Sequence, residues 1–224
     1  WQRSDHVIFS PCPASNWRKE LPAQMLASVG YYGFYTYYLY SGDDSFIPVV
    51  YDGMKRYLHD VWKTDEEGLV ITRHGDWSWG DWGSNIDIRL ILASWHYLAL
   101  QSAVNMAELS GNEADIAGYK KQMDSIRDAY NRCWNGYAYR HPSYHGATDD
   151  RVNAMAIITG IADESKYDAL YTLFKKQAHA SPYMEKYVLE ALVKTGHGDY
   201  ALQRFKERFR NMIEDPKCST LYEG

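Results

Sequence analysis

Residues 86–110 place Ile88, Leu90, Ile91, Leu92, Ala93, Trp95, Leu98, Leu100, Val104 and Leu109 around most of a helix circumference. A helix that is apolar on most sides must be buried on most sides. The next segment, 113–134, carries a different pattern. Ile116, Tyr119, Met123, Ile126, Tyr130 and Cys133 recur at steps of three and four and form a single stripe. A buried helix joined by a short turn to an amphipathic one is the unit of an α/α-hairpin toroid or solenoid. No other feature of the chain restricts its fold so strongly.

Helical periodicity continues on both sides of this pair. The spacing predicts eight helices, roughly at 20–40, 44–63, 86–110, 113–134, 150–161, 164–178, 182–195 and 199–214. Gly42 is placed to close the first, and Asp43 or Asp44 to cap the second. Gly111 follows the third, and Asn112 stands three residues ahead of Asp115 as an N-cap. Ser181-Pro182 fits an N-cap with a first-turn proline, and Gly196 fits the glycine past a helix end. Strand signals are weak; Gly68-Leu69-Val70-Ile71-Thr72 allows a small ribbon. Hairpin spacing is irregular, which disfavours fixed-period arrays. The expected fold is all-α, an (α/α)6-barrel type of toroid, incomplete in this chain because eight helices make two thirds of a twelve-helix barrel. No linker rich in Pro, Gly or Ser divides the chain. Residues 1–224 are therefore expected to be a single domain, or the larger part of one. A start at Trp1, with no initiator Met, reads as a fragment of a longer protein.

Composition narrows the functional classes. The 224 residues are 46% hydrophobic, enough for a substantial core without disulfides or a structural metal. Lys and Arg number 24 against 29 Asp and Glu, and no long basic stripe is present, which argues against a nucleic-acid surface. No apolar run approaches the ~18 residues that span a bilayer. Cys12, Cys133 and Cys218 are too few and too widely spaced for a disulfide framework or metal cluster. The composition is abnormal in its aromatics: 20 Tyr and 8 Trp against 6 Phe. Rings with a polar handle suit surfaces that are both sticky and wet.

Thr72–Asp87 is the most unusual stretch, with Gly-Asp-Trp twice and neither a helical nor a strand period. Indole faces stack on the C–H faces of sugar rings, and carboxylates accept hydrogen bonds from hydroxyls. Asp76, Trp77, Trp79, Asp81 and Trp82 therefore make a candidate saccharide subsite. A second reading stays open: a lid packed on the barrel, with its aspartates as caps and Asn85 or Asp87 serving the next helix. Glu20 and Gln24 share a helix face, which also fits a solvated helix start with an acid near the positive dipole end. His74, His141 and His145 match no metal spacing and read as surface histidines. Asp149-Asp150-Arg151 opens a helix, where acids are expected as caps. No nucleophile elbow or phosphate loop occurs.

Four ordered blocks resemble the catalytic α/α barrel of the α-L-rhamnosidases, the inverting enzymes of glycoside hydrolase family seventy-eight. They are Glu20-Leu21-Pro22-Ala23-Gln24-Met25-Leu26; Gly75-Asp76-Trp77 with Trp79-Gly80-Asp81-Trp82-Gly83; Asp149-Asp150-Arg151-Val152-Asn153-Ala154; and Ser181-Pro182-Tyr183-Met184-Glu185 running on to Thr220-Leu221-Tyr222-Glu223-Gly224. The resemblance implies hydrolysis of terminal α-L-rhamnosyl linkages with inversion, by two carboxyl groups roughly 6.5–9.5 Å apart. It makes Glu223 the general base and the Gly-Asp-Trp loop part of the rhamnose pocket, with Glu20 facing the same cavity. Tyr222 stands where the family pattern has tryptophan. The family's general acid lies in a Cys-Pro-x-Arg-Glu-Arg type of block; Ser10-Pro11-Cys12-Pro13 does not supply it, so the acid is expected N-terminal to Trp1. A histidine that follows the base is expected beyond Gly224. The substrate is a rhamnose-containing glycan or glycoside, and no metal or organic cofactor is implied. Carbohydrate scavenging favours a periplasmic or secreted parent protein. Two alternatives remain: an α/α-barrel glycosidase or lyase for another sugar, and a non-catalytic carbohydrate-binding scaffold that keeps the aromatic cleft without the acid.

Overall fold

The structure, a computed structural model, describes residues 2–9, 33–71, 79–217 and 220–222. Glu20, His74, Asp76, Trp77, Glu223, two of the cysteines and the first part of the 20–40 helix lie outside the described residues. Among the described residues the α-helices are α1 (Phe34–Ser41), α2 (Ile47–Arg56), α3 (Ile88–Leu109), α4 (Ile116–Arg132), α5 (Asp150–Ile158), α6 (Tyr167–Lys176), α7 (Pro182–Lys194) and α8 (Gly198–Glu214). A π-helical turn, Tyr57–Val61, extends α2, and single 3-10 turns lead into α4 and α6. No strand forms among these residues. The ribbon expected near residue 70 reduces to the isolated bridge Thr64–Val70, closed by a turn in which Gly68 has φ +89°.

The chain falls into two compact units, each drawing on two stretches of sequence: Trp1–Trp79 with Leu92–Ala129, and Gly80–Ile91 with Tyr130–Gly224. In the first unit every α3 residue from Leu92 to Leu100 is buried, as its all-round apolar pattern requires. α4 buries only its stripe: Tyr119, Ile126 and Ala129 are inside, while Lys120 and Asp124 are exposed. α2 is tied to the start of α4 through Asp115, which accepts from Tyr51 Oη at 3.0 Å and Lys55 Nζ at 2.6 Å. Gly42 closes α1 in the left-handed region at φ 70°, its N–H bonded to Tyr38 O. The expected cap of α2 by Asp43 or Asp44 does not form. Asp43 instead accepts from the backbone N–H of Ser45 at 3.0 Å, and this local turn delays the helix to Ile47. Asn112 stands at the expected N-cap position, but its side chain donates to Ser110 Oγ at 2.8 Å and caps nothing.

The second unit repeats the buried and amphipathic alternation. All nine residues of α5 are buried, whereas α6 buries only Leu170, Leu173 and Phe174. α5 packs chiefly against α7, α7 against α8, and α6 against α5. The inner helices thus neighbour one another and each carries an outer partner, the arrangement of successive α/α hairpins. α5 stops at Ile158, short of the expected 161, because Gly160 turns the chain at φ 72°. Asp149 caps α5 by accepting from Arg151 N at 2.9 Å. Ser181 sits at the N-cap of α7 with Pro182 next, but its hydroxyl is spent elsewhere.

Candidate functional site

The described part of the tryptophan-rich loop begins at Trp79, in the first unit. Its indole is half-buried and stacks on Trp95 of α3, with centroids 6.4 Å apart and planes at 24°. In the second unit, Gly80 lies against the isoleucines that follow it. A Cβ there would stand 2.7 Å from Ile86 Cγ2 and 2.8 Å from Ile88 Cδ1, so only glycine lets the loop pack down. Asp81 is buried. Its carboxylate accepts from Arg151 Nη1 at 2.9 Å, from Ser181 N at 2.9 Å and from Ser181 Oγ. Trp82, one residue on, is 36% exposed. Gly83 and Asn85 both take positive φ, 88° and 57°, which turns the loop back sharply.

Arg151 organises this loop from the first turn of α5. Its Nη2 donates to the carbonyls of Ser84 and Asn85 at 2.9 and 2.7 Å, and its Nε to Asp149 at 2.7 Å. Asp149 also accepts the backbone N–H of Asp87 at 2.9 Å. Burial pushes the Asp149 carboxyl up to about 6, against the pull of the Arg151 guanidinium. Asp87 is raised by burial as well, and it takes the expected capping role by accepting the N–H of Leu90 at the start of α3. It accepts a second N–H, from His141, at 2.7 Å. His141 is therefore no surface histidine: only 7% of it is exposed, because the buried Asp87 carboxylate draws its backbone inward. His145 is exposed.

A second buried cluster joins three helices. Arg204 of α8 donates to Glu185 of α7 at 2.5 and 3.0 Å and to Asp150 of α5 at 2.8 Å. Its remaining donors meet the carbonyls of Phe174 and Gln177 at 2.6 and 2.8 Å. Burial raises the Glu185 carboxyl, and Arg204 opposes that rise. These charges are positional in their effect, since they hold α5, α7 and α8 in one register.

Of the residues proposed from sequence, the structure places Asp81 and Trp82 together on the clamped loop, and Trp79 against Trp95 of α3 in the first unit. The sequence reading missed Arg204 and the partnership of Asp150 with it. Arg204 stands on the same α8 face as buried Ala201 and Phe209, and a charge on a core face was the available signal. Among the described residues no His, Cys, Asp and Glu group is arranged to hold a metal ion. No described helix is long and apolar enough to cross a membrane.

Comparison with known proteins finds a family whose model matches most of the chain. The family model of the bacterial α-L-rhamnosidase 6 hairpin glycosidase domain matches residues 10–211. Two solved structures share the fold. One is the family seventy-eight rhamnosidase of Bacillus sp. GL1, with 20% identity and a TM-score of 0.72 over 92% of this chain and 23% of that one. The other is the α-L-rhamnosidase of Dictyoglumus thermophilum, with 20% identity and a TM-score of 0.68 over 96% of this chain and 26% of that one. The chain thus spans about a quarter of the length of each. The search of curated proteins returns no match.

Proposed function

The chain belongs to the bacterial α-L-rhamnosidase 6 hairpin glycosidase domain family, and from that premise we propose that it forms most of the active site of an inverting α-L-rhamnosidase. The observation that carries this reading is the family match across residues 10–211, which takes in the Gly-Asp-Trp loop and the blocks that clamp it. Inverting hydrolysis needs one carboxylic acid to protonate the glycosidic oxygen. It needs a second carboxylate to take a proton from water on the opposite face of the sugar. Glu223 is the proposed base, and the proposed acid belongs to chain outside these 224 residues. The indoles of Trp77, Trp79 and Trp82 would stack on the C–H faces of rhamnose. Asp76 and Glu20 would accept from its hydroxyls, and Asp81 would serve the pocket from behind, by holding the loop that carries Trp82. Two carboxyl groups suffice for this chemistry, so no cofactor is required.

The test is Glu223→Gln in the rhamnosidase that carries this chain. The amide keeps the shape but takes no proton, so turnover of an aryl α-L-rhamnoside should fall about 10²–10⁴-fold while rhamnose binding stays nearly constant. Turnover within a few-fold of the unsubstituted enzyme would remove Glu223 from the mechanism.

A further inference from the structure

Asp81 offers nothing to a ligand as it stands. Its side chain has 0% exposure. Oδ2 already accepts from Arg151 Nη1 and Ser181 N, and Oδ1 from Ser181 Oγ. Arg151 grips the same loop a second time through the carbonyls of Ser84 and Asn85. Residues 81, 84 and 85 are therefore fixed by one guanidinium, and Trp82 stands between the fixed points with its indole partly exposed. A sugar hydroxyl could reach the Asp81 carboxylate only by unpairing a fully buried arginine, which costs more than the new hydrogen bond returns.

We propose that Asp81 is a positioning residue: together with Arg151 and Ser181 it sets the orientation of the loop that presents Trp82, and it does not touch the sugar. Its effect on turnover rests on the rhamnosidase reading above; its effect on the loop does not. Arg151 sits at the centre of the device because its planar fork bonds the Asp81 and Asp149 carboxylates and two carbonyls at once, four acceptors against the three donors of a lysine.

The experiment incorporates 5-fluorotryptophan into the rhamnosidase that carries this chain. The Trp82 fluorine resonance is identified by its loss in Trp82→Phe. Asp81→Ala leaves Arg151 and Ser181 without their acceptor. It should shift or broaden that resonance and raise KM for an aryl α-L-rhamnoside about tenfold, with much less change in kcat. Asp81→Asn should rescue both readouts to within about twofold. Its amide oxygen can hold the Arg151 and Ser181 N–H groups, while its NH2 donates to Ser181 Oγ. If Asp81→Ala does not fold, Ser181→Ala removes one bond of the set and should move the Trp82 resonance the same way by less. A Trp82 resonance unmoved in these variants overturns the proposal. So does an Asp81→Asn whose KM rises as much as that of Asp81→Ala with Trp82 in place, since that is the mark of direct sugar contact. An unsubstituted protein that hydrolyses no rhamnoside would sink the functional reading instead, and the fluorine resonance would still decide what holds the loop.

Discussion

Arg204 meets an acceptor with every one of its five N–H donors, inside a region where it is 3% exposed. Such a group is costly to bury and costlier to break. Among the described residues, Arg204→Ala leaves Asp150 with no cation beside it and Glu185 with only the Arg208 guanidinium at 3.6 Å, and urea unfolding should show a loss of about 3–5 kcal/mol. A loss below about 1 kcal/mol would show that the cluster carries no such weight. His96 raises the opposite problem. It is fully buried on α3, neither ring nitrogen has a partner among the described residues, and burial pulls its pKa down to about 4. The folded state therefore binds fewer protons than the unfolded state between about pH 4 and 6.5. Its contribution to stability rises with pH across that window and is lost as pH falls through it. His96→Leu should hold on to about 3 kcal/mol at pH 4 that the native chain loses, read from urea midpoints at pH 4 and 7. Equal pH dependence in the two proteins would exclude His96 as the cause. Asp149 carries the other sign. Its folded pKa is raised to about 6, so its contribution weakens as pH rises from about 4 to about 6, and Asp149→Asn should remove that component.

At the scale of elements, the loop of residues 80–87 depends on backbone fit as much as on charge. Gly80→Ala must push Ile86 and Ile88 out of place, and the thermal midpoint should fall by the equivalent of about 1–3 kcal/mol. An unchanged midpoint would mean that the loop is not packed as described. Elements of this kind were partly legible in the sequence. The burial of α3, the single stripe of α4 and the turns at Gly42, Gly111 and Gly196 follow from periodicity and left-handed glycine, which are local properties. The clamp is not local. Asp81 reads as an open carboxylate beside tryptophans until Ser181, a hundred residues later, is known to stand over it. His141 reads as a surface residue until Asp87 is seen to accept its N–H from 54 residues away. Asp43 misled for a different reason, because its side chain satisfied the nearest amide, at Ser45, instead of waiting for the helix. A residue's type shows what it can bond; which partner it meets is decided by tertiary packing.

At the scale of the whole molecule, the chain corresponds to about a quarter of each solved rhamnosidase it resembles. The proposed mechanism distributes its two carboxyl groups accordingly, with the base at Glu223 and the acid on chain beyond these residues. This separation makes a sharp prediction. The 224-residue chain alone should release no rhamnose from an aryl α-L-rhamnoside, because a base without an acid leaves the departing oxygen unprotonated. On the proposed mechanism, a longer chain that also supplies the acid should release the sugar with inversion. Proton NMR in the first minutes should then show the β anomer before mutarotation equilibrates it, since water attacks from the face opposite the leaving group. Release by the isolated chain would place both carboxyl groups within it and displace the acid from its proposed position. An α anomer formed first would replace the water-activating base with a nucleophile, and the two carboxyl groups would then stand closer, at roughly 5–5.5 Å.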